Sequence, residues 1–344
     1  MVKKFSSIKI AVVNSNSFGI HFNEHIKRLS GIGKIRKIVL DKNISEKILA
    51  ESLKGFQAII ASVTPYYGSC FFNLNKDVIL ISRHGIGINN VDIKSATKAG
   101  VLVTKVSGYI EKEAMAEHAV TLLLQVARKI NPALQAVKNG MWKERARFLG
   151  IEVKARTIGI IGMGNIGSRV VEILKNGFGA EILVYDPNVS GKTAKRNGAS
   201  KVEIDYLLKK SDIISLHASL NKDNYHMLGK KEFSLMKDGV IIINTARGEL
   251  IDEKVFIENL GNGKIAGAGL DVVEGEPIGK NHPLLKFPNV VIVPHIGAYT
   301  VESLRKMGDK VVDDIEKVLV KNKIPDELVN PEVLKKPIRG GIKL

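Results

Sequence analysis

Three side chains in the second half of the chain, Arg247, Glu276 and His295, are of types that together could hold an anion and move a proton. A guanidinium is a planar fork that grips two oxygens at once. An imidazole gives or takes a proton near neutral pH, and a carboxylate bonded to one ring nitrogen decides which nitrogen carries it. Taken singly, each has a plainer reading: a surface arginine, a solvated loop acid, a core histidine. Their positions set them apart. Arg247 follows the apolar run Val240 to Asn244, Glu276 lies beyond Ile265 to Leu270, and His295 follows Val290 to Val293. All three are expected at the carboxyl ends of successive strands, where open α/β sheets collect ligands.

Upstream, the apolar run Thr157 to Ile161 leads into Gly162, Gly164 and Gly167, in G-x-G-x-x-G spacing, and then into the helical stretch Ser168 to Leu174. In such a turn the first glycine permits the tight bend, the second lets backbone N–H groups approach a pyrophosphate, and the third lets the helix pack on the strand. Phosphates are favoured there by the unpaired amides and dipole of a helix N-terminus. Asp186 stands 19 residues after Gly167, at the end of the next apolar run, where its carboxylate can accept from both hydroxyls of a ribose. It would repel the 2′-phosphate of NADP by more than nearby Lys192 readily recovers. The pattern therefore predicts NAD.

These residues need two sets of elements to position them. In the first hundred residues, Ile8 to Asn14, Ile35 to Leu40, Ala58 to Val63, Val78 to Ser82 and Val101 to Val106 are short, β-branched runs. They alternate with helical stretches such as Lys42 to Leu53 and read as buried parallel strands. A long helix buried on more than one side is predicted from Glu111 to Arg128, followed by a turn at Asn139 to Trp142. A second βαβ series then runs through Thr157 to Ile161, Ile182 to Tyr185, Ile213 to Leu216, Val240 to Asn244, Ile265 to Leu270 and Val290 to Val293. The segment after Asn330 carries Pro and Lys and is expected to be loosely ordered.

Composition narrows the class. With 344 residues, two domains are expected, each large enough for its own core. The single cysteine, Cys70, excludes a disulfide framework and a multi-cysteine metal site; it reads as a buried small apolar residue in a reducing, cytoplasmic compartment. Met1 to Phe5 lacks the apolar core of a signal peptide, and no stretch reaches the roughly 18 uninterrupted apolar residues of a membrane helix. The net charge of +17 is spread over single or paired lysines such as Lys3-Lys4, Lys209-Lys210 and Lys230-Lys231. A solvated basic surface, rather than a nucleic-acid patch, is the expectation.

The chain resembles the D-isomer-specific 2-hydroxyacid dehydrogenase family. The motifs that carry the resemblance are Arg83 to Asp92 (Arg-His-Gly-Ile-Gly-Ile-Asn-Asn-Val-Asp), Ala116-Glu117-His118, the glycine loop, Leu235-Met236-Lys237 through Arg247-Gly248, Ala266 to Val272, Glu276-Pro277 and Pro294-His295. They stand in the family's order over most of the chain, from Val78 to Asn330. The resemblance implies two Rossmann-like, doubly wound, parallel-sheet α/β domains, the nucleotide-binding one inserted into a discontinuous flavodoxin-like substrate domain. The substrate domain is expected at residues 1–107 and 298–330, the NAD-binding domain at 108–297, and a C-terminal tail at 331–344. Hinges near Gly108 to Glu113 and Ile296 to Thr300 and a substrate cleft are implied with them.

The resemblance further implies an NAD-dependent enzyme exchanging hydride between the cofactor and a small D-2-hydroxy or 2-oxo acid. Arg247 would hold the substrate carboxylate and carbonyl, His295 would deliver or accept the proton, and Glu276 would brace the imidazole. Gly85, Ile86 and Gly87 would offer backbone N–H groups to the carboxylate. Cofactor contacts are implied for Gly162, Gly164, Asn165, Ile166, Gly167, Asp186, Ser219, Asn224, Thr245, Ala246, Arg247, Asp271, His295 and Gly297, and a homodimer through the long helix and the Trp142 region. Where many relatives carry an Asn-x-Pro turn, this chain has Lys105, a candidate for pairing with a second anionic group, as on 3-phosphoglycerate. The loop His217-Ala218-Ser219 likewise departs from a commoner His-x-Pro. The sequence ends soon after the core pattern, so no regulatory extension is expected. Two other readings of the same scaffold stay open: a nucleotide-sensing, corepressor-like binding protein, and a phosphite-type dehydrogenase.

Overall fold

Runs of isoleucine, valine and alanine too apolar to face water on either side become the central strands of two separate parallel sheets. The computed structural model describes residues 8–154 and 156–343; Met1 to Phe5 and the Lys3-Lys4 pair lie outside the described residues. The first sheet comprises β1 (Lys9–Val13), β2 (Lys34–Ile38), β3 (Ala58–Ala61), β4 (Leu80–Arg83) and β5 (Leu102–Thr104). Their order is β2-β1-β3-β4-β5, with every neighbouring pair parallel, which is the flavodoxin-like arrangement. The second comprises β6 (Thr157–Ile161), β7 (Glu181–Tyr185), β8 (Ser200–Lys201), β9 (Ile213–Leu216), β10 (Val240–Asn244), β11 (Ile265–Leu270) and β12 (Val290–Ile292). Its order, β12-β11-β10-β9-β6-β7-β8, reverses direction beside β6, as in a doubly wound nucleotide-binding sheet.

The first sheet belongs to a unit formed by the described residues of Met1–Ile110 and Thr300–Leu344, and the second to Glu111–Tyr299. Helix Val301–Leu319 returns the chain to the first unit with a stripe of Leu304, Met307, Val311, Ile315 and Val318 at three- and four-residue spacing, all buried. On the same helix, the buried Asp314 carboxylate accepts from Ser82 Oγ (3.0 Å) and Thr104 Oγ1 (2.6 Å), and Lys310 Nζ lies 2.6 Å from it. Burial outweighs Lys310 and holds this carboxyl above the usual carboxylate range. One polar knot thus fastens the late helix to strands two hundred residues earlier.

The structure corrects several sequence expectations. β2 is not buried: Lys-Ile-Arg-Lys-Ile forms an exposed edge strand whose lysines and arginine face water. The edge strand β8 carries no apolar signal and was not expected. Cys70 is exposed, because the buried face of helix Ser69–Leu74 is taken by its neighbours Phe71 and Phe72. The described part of the 331–344 tail is packed rather than loose. Val333 and Ile342 join the core around Ile10 and Ile60, and Arg339 donates to the carbonyls of Ala99 (3.0 Å) and Phe72 (2.9 Å). Its prolines and lysines mask three well-spaced apolar anchors, Val333, Ile338 and Ile342. Among the described residues no helix is long and apolar enough to cross a membrane.

Replacing Asp314 by Ala removes the acceptor of Ser82 and Thr104 and leaves Lys310 with the Asp326 carbonyl at 3.0 Å alone, so chemical denaturation should show a loss of about 3 to 5 kcal/mol. A loss below about 1 kcal/mol would mean that the knot does not hold the helix.

Candidate active site

One row of residues crosses the second sheet at its carboxyl edge. Tyr185, Ile161, Leu216, Asn244, Leu270 and Ile292 are register partners in turn across β7, β6, β9, β10, β11 and β12. Just beyond that row leave Asp186, the Gly162 turn, Ser219, Arg247, Asp271 and His295. With neighbouring strands about 4.8 Å apart, they are spread along roughly 24 Å of sheet edge. The expected residues of this unit therefore share one edge, although some sit far apart on it.

The glycine loop has two structural members and one open one. Gly162 has φ 91°, and a Cβ there would meet Ala218 N at 2.5 Å; at Gly167 a Cβ would meet Gly162 O at 2.1 Å. At Gly164 a Cβ would meet nothing within 4 Å. Helix Asn165–Phe178 starts there with no side-chain cap, leaving Asn165 and Ile166 in a first turn whose N–H groups an anion can take. Beside the loop, Asp186 accepts from Met163 N–H and Asn188 N–H, both at 2.8 Å, so its carboxylate is held at the lip of the turn. Two polar atoms further along the row, Thr245 Oγ1 and His217 Nδ1, are buried without a hydrogen-bond partner among the described residues. Burial pushes His217 down to about 4, so its ring is neutral, with Nε2 on Ser215 Oγ at 2.8 Å. Open backbone donors, an acid at ribose distance along the chain and two orphaned polar atoms fit a dinucleotide.

Two residues expected at the cofactor, Ser219 and Asn224, are bonded to each other. Asn224 Nδ2 donates to Ser219 O at 2.8 Å while its Oδ1 accepts from Asn221 N–H at 2.7 Å, so the side chain closes its own loop. The Thr245–Arg247 segment is stapled by buried Asn244, whose side chain accepts from Ala246 N–H (3.0 Å) and donates to Arg247 O (2.8 Å). Arg247, half-buried, rests its Nη1 on Ala246 O at 2.6 Å.

Glu276 and His295 are brought together: His295 Nδ1 is hydrogen-bonded to Glu276 Oε1. His295 has φ 54°, a left-handed conformation that costs a non-glycine residue on the order of 1 kcal/mol or more. Asp271, wholly buried, imposes it. Its carbonyl accepts from His295 N–H (3.0 Å), its Oδ1 from Ile296 N–H (2.7 Å) and its Oδ2 from Gly297 N–H (3.0 Å). Gly297 must be glycine, since a Cβ would meet Asp271 Oδ2 at 2.8 Å and Met115 Sδ at 2.7 Å. Behind them His118 Nε2 lies 3.2 Å from Asp271 Oδ1. No role was assigned to His118, Asn244 or His217; for His118 the signals available were its place in the Ala116-Glu117-His118 motif and its being a histidine inside an apolar helix.

In the other unit, Gly85, Ile86 and Gly87 follow β4, and Lys105 follows β5, joined by a bond from Val106 N–H to Gly85 O at 3.1 Å. Gly85 has φ 145°, open only to glycine here. Lys105 is half-buried and makes no ion pair among the described residues.

The profile of the family described as D-isomer specific 2-hydroxyacid dehydrogenase, NAD binding domain, matches residues 120–297. A glyoxylate reductase of Korarchaeum cryptofilum is 37% identical over 294 residues, covering 85% of this chain and 88% of that one. A D-3-phosphoglycerate dehydrogenase of Archaeoglobus fulgidus is 38% identical over 279 residues; the match takes in 81% of this chain but only 52% of that longer protein. The crystal structure of D-lactate dehydrogenase from Aquifex aeolicus, complexed with NAD and lactic acid, is similar with a TM-score of 0.79 at 28% identity, covering 91% of this chain and 98% of that one.

Gly164→Ala should leave the melting temperature nearly unchanged yet weaken NADH binding at least tenfold by fluorescence titration, whereas Gly162→Ala should destabilise the fold itself. Equal NADH affinity in Gly164→Ala would place the phosphates elsewhere. A buried neutral histidine also makes stability depend on pH. The folded value of about 4 lies below the ordinary 6.5, so the unfolded chain takes up the proton first. Stability is then lost as pH falls from about 6.5, by about 1.4 kcal/mol per unit for one such group. Urea midpoints at pH 7 and pH 5 should show this loss, and His217→Asn should reduce it.

Proposed function

This chain belongs to the D-isomer-specific 2-hydroxyacid dehydrogenase family, and from that premise we propose how its residues divide the work of an NAD-dependent oxidoreductase on small 2-hydroxy and 2-oxo acids. The observation that carries the reading is the acid-braced imidazole on a sheet edge that also carries the dinucleotide loop. Because Glu276 occupies Nδ1, the ring has Nε2 left for substrate. In the direction of reduction, His295 Nε2 delivers the proton to the forming alkoxide, and in oxidation it accepts it. Glu276 fixes the tautomer and the orientation of the ring. Arg247, released from Ala246 O, forks onto the substrate's carboxylate and carbonyl oxygens and stabilises the charge that develops there. The bound NADH supplies the hydride.

Asn165 and Ile166 receive the phosphates and Asp186 the ribose, with Thr245, Ala246, Asp271 and Gly297 lining the nicotinamide end. The mutual engagement of Ser219 and Asn224 supports a smaller part for them. In the other unit, the Gly85–Gly87 amides take the substrate carboxylate, and Lys105 reads a second anionic group; a half-buried lysine with no ion pair among the described residues supports that role. A homodimer is supported by helix Ile130–Lys138, which exposes Ile130, Leu134 and Val137 on one face, with Trp142 and Leu149 exposed nearby. A single free cysteine suits a reducing, cytoplasmic setting.

NADH absorbance should fall with at least one of glyoxylate, hydroxypyruvate, 3-phosphohydroxypyruvate and 2-oxoglutarate, and His295→Gln should cut turnover by about a hundredfold or more. Lys105→Ala should selectively lose the two substrates that carry a second anionic group. No turnover across the panel would remove the proposed chemistry; equal losses for all four acids would remove the role of Lys105.

A further inference from the structure

The loop that carries Glu276 has bonds of its own, Glu276 N–H to Val273 O at 3.3 Å and Val273 N–H to Glu276 Oε2 at 3.4 Å, and it is tied from outside as well. Two residues before Glu276, the Glu274 carboxylate is gripped by Tyr225 Oη (2.8 Å) and His226 Nε2 (3.0 Å). The two rings are stacked with centroids 4.0 Å apart, so they form one rigid jaw. His226 has φ 52°, a left-handed conformation that turns its ring and its backbone N–H toward different partners. That N–H donates to Glu249 O at 2.8 Å, in the 3₁₀ turn Gly248–Leu250 directly after Arg247. The two loops also touch without an intervening side chain: a Cβ on Gly248 would meet Glu274 N and Val273 C at 2.2 Å each.

We propose that His226, with Tyr225, is a positioning residue that couples the Arg247 segment to the Glu276 loop. Its backbone ties to the first and its ring clamps the second through Glu274, so that guanidinium and braced imidazole are presented in one register. Neither Tyr225 nor His226 touches the reacting atoms. Released from the clamp, the Glu276 loop moves by a fraction of an ångström, which is enough to spoil an aligned proton transfer without disturbing the glycine loop that binds cofactor. This inference rests on the proposed roles of Arg247, Glu276 and His295.

The test is steady-state kinetics with NADH and whichever acid of the panel the unaltered chain turns over fastest, beside NADH affinity and melting temperature. His226→Phe keeps the ring volume and loses the bond to Glu274; kcat should fall by about tenfold to a hundredfold, with NADH affinity unchanged within about twofold. His226→Gln, which keeps a donor, should recover most of the loss, and Glu274→Met, which removes the acceptor at similar volume, should resemble His226→Phe. Wild-type kcat in both His226→Phe and Glu274→Met overturns the proposal. So does a loss that appears equally in NADH affinity and is not rescued by His226→Gln, since that marks a merely structural residue. If His226→Phe does not fold, Glu274→Met and Tyr225→Phe decide by the same criteria. His295→Gln separates the two levels: full turnover in that variant overturns the catalytic reading itself, whereas its loss beside intact clamp variants overturns only the coupling.

Discussion

The buried carboxylate of Asp271 is the constraint on which the rest of the candidate site depends. It is wholly shielded from water and receives two backbone N–H groups, from Ile296 and Gly297, while its own carbonyl receives that of His295. A buried carboxylate bonded in this way resists rearrangement, because breaking either bond leaves a charged acceptor unsatisfied. It can therefore keep His295 in a backbone conformation the residue would not choose alone. From that conformation Nδ1 meets Glu276, and the tautomer and free face of the ring follow.

The parallel sheet distributes the remaining groups. Strand ends in register deliver side chains from segments as distant in sequence as Asp186 and His295 to a single edge, and the polar ends of the strands then fix each loop locally. Asn244 does so for the Arg247 segment, Asp271 for the His295 turn and the His226–Glu274 pair for the Glu276 loop. Close packing behind the edge makes the arrangement stiff. Gly267 and Gly269 in β11 let helix Gly108–Ala127 approach so closely that a Cβ would meet Val126 Cγ1 at 2.7 Å and Leu122 Cβ at 2.9 Å. The burial of that helix on more than one side, expected from its apolar positions, is present: Val120, off the stripe of Leu122, Leu123 and Val126, is buried with them, and Leu124 is half-buried.

What could be read directly from the chain was what neighbouring residues decide among themselves. β6, β9, β10 and β11 have the expected bounds because short apolar runs between turn residues define them locally. The glycine turn was legible because its three positions answer three local needs of one bend. The bond between His295 and Glu276 was implied by the family resemblance, carried by the Glu276-Pro277 and Pro294-His295 motifs, and is present. Only the tertiary structure decided the rest, for a consistent reason: each of these features pairs residues far apart in sequence, where periodicity has no reach. The exposure of Cys70 depends on the distant core, with Val13 and Ile59, into which Phe71 and Phe72 turn, and the order of the C-terminal segment on a core built from β1 and β3. The Asp271 clamp and the grip of Tyr225 and His226 on Glu274 depend on strands that become neighbours only once the sheet has formed. Local chemistry could name the reacting groups; long-range packing alone could aim them.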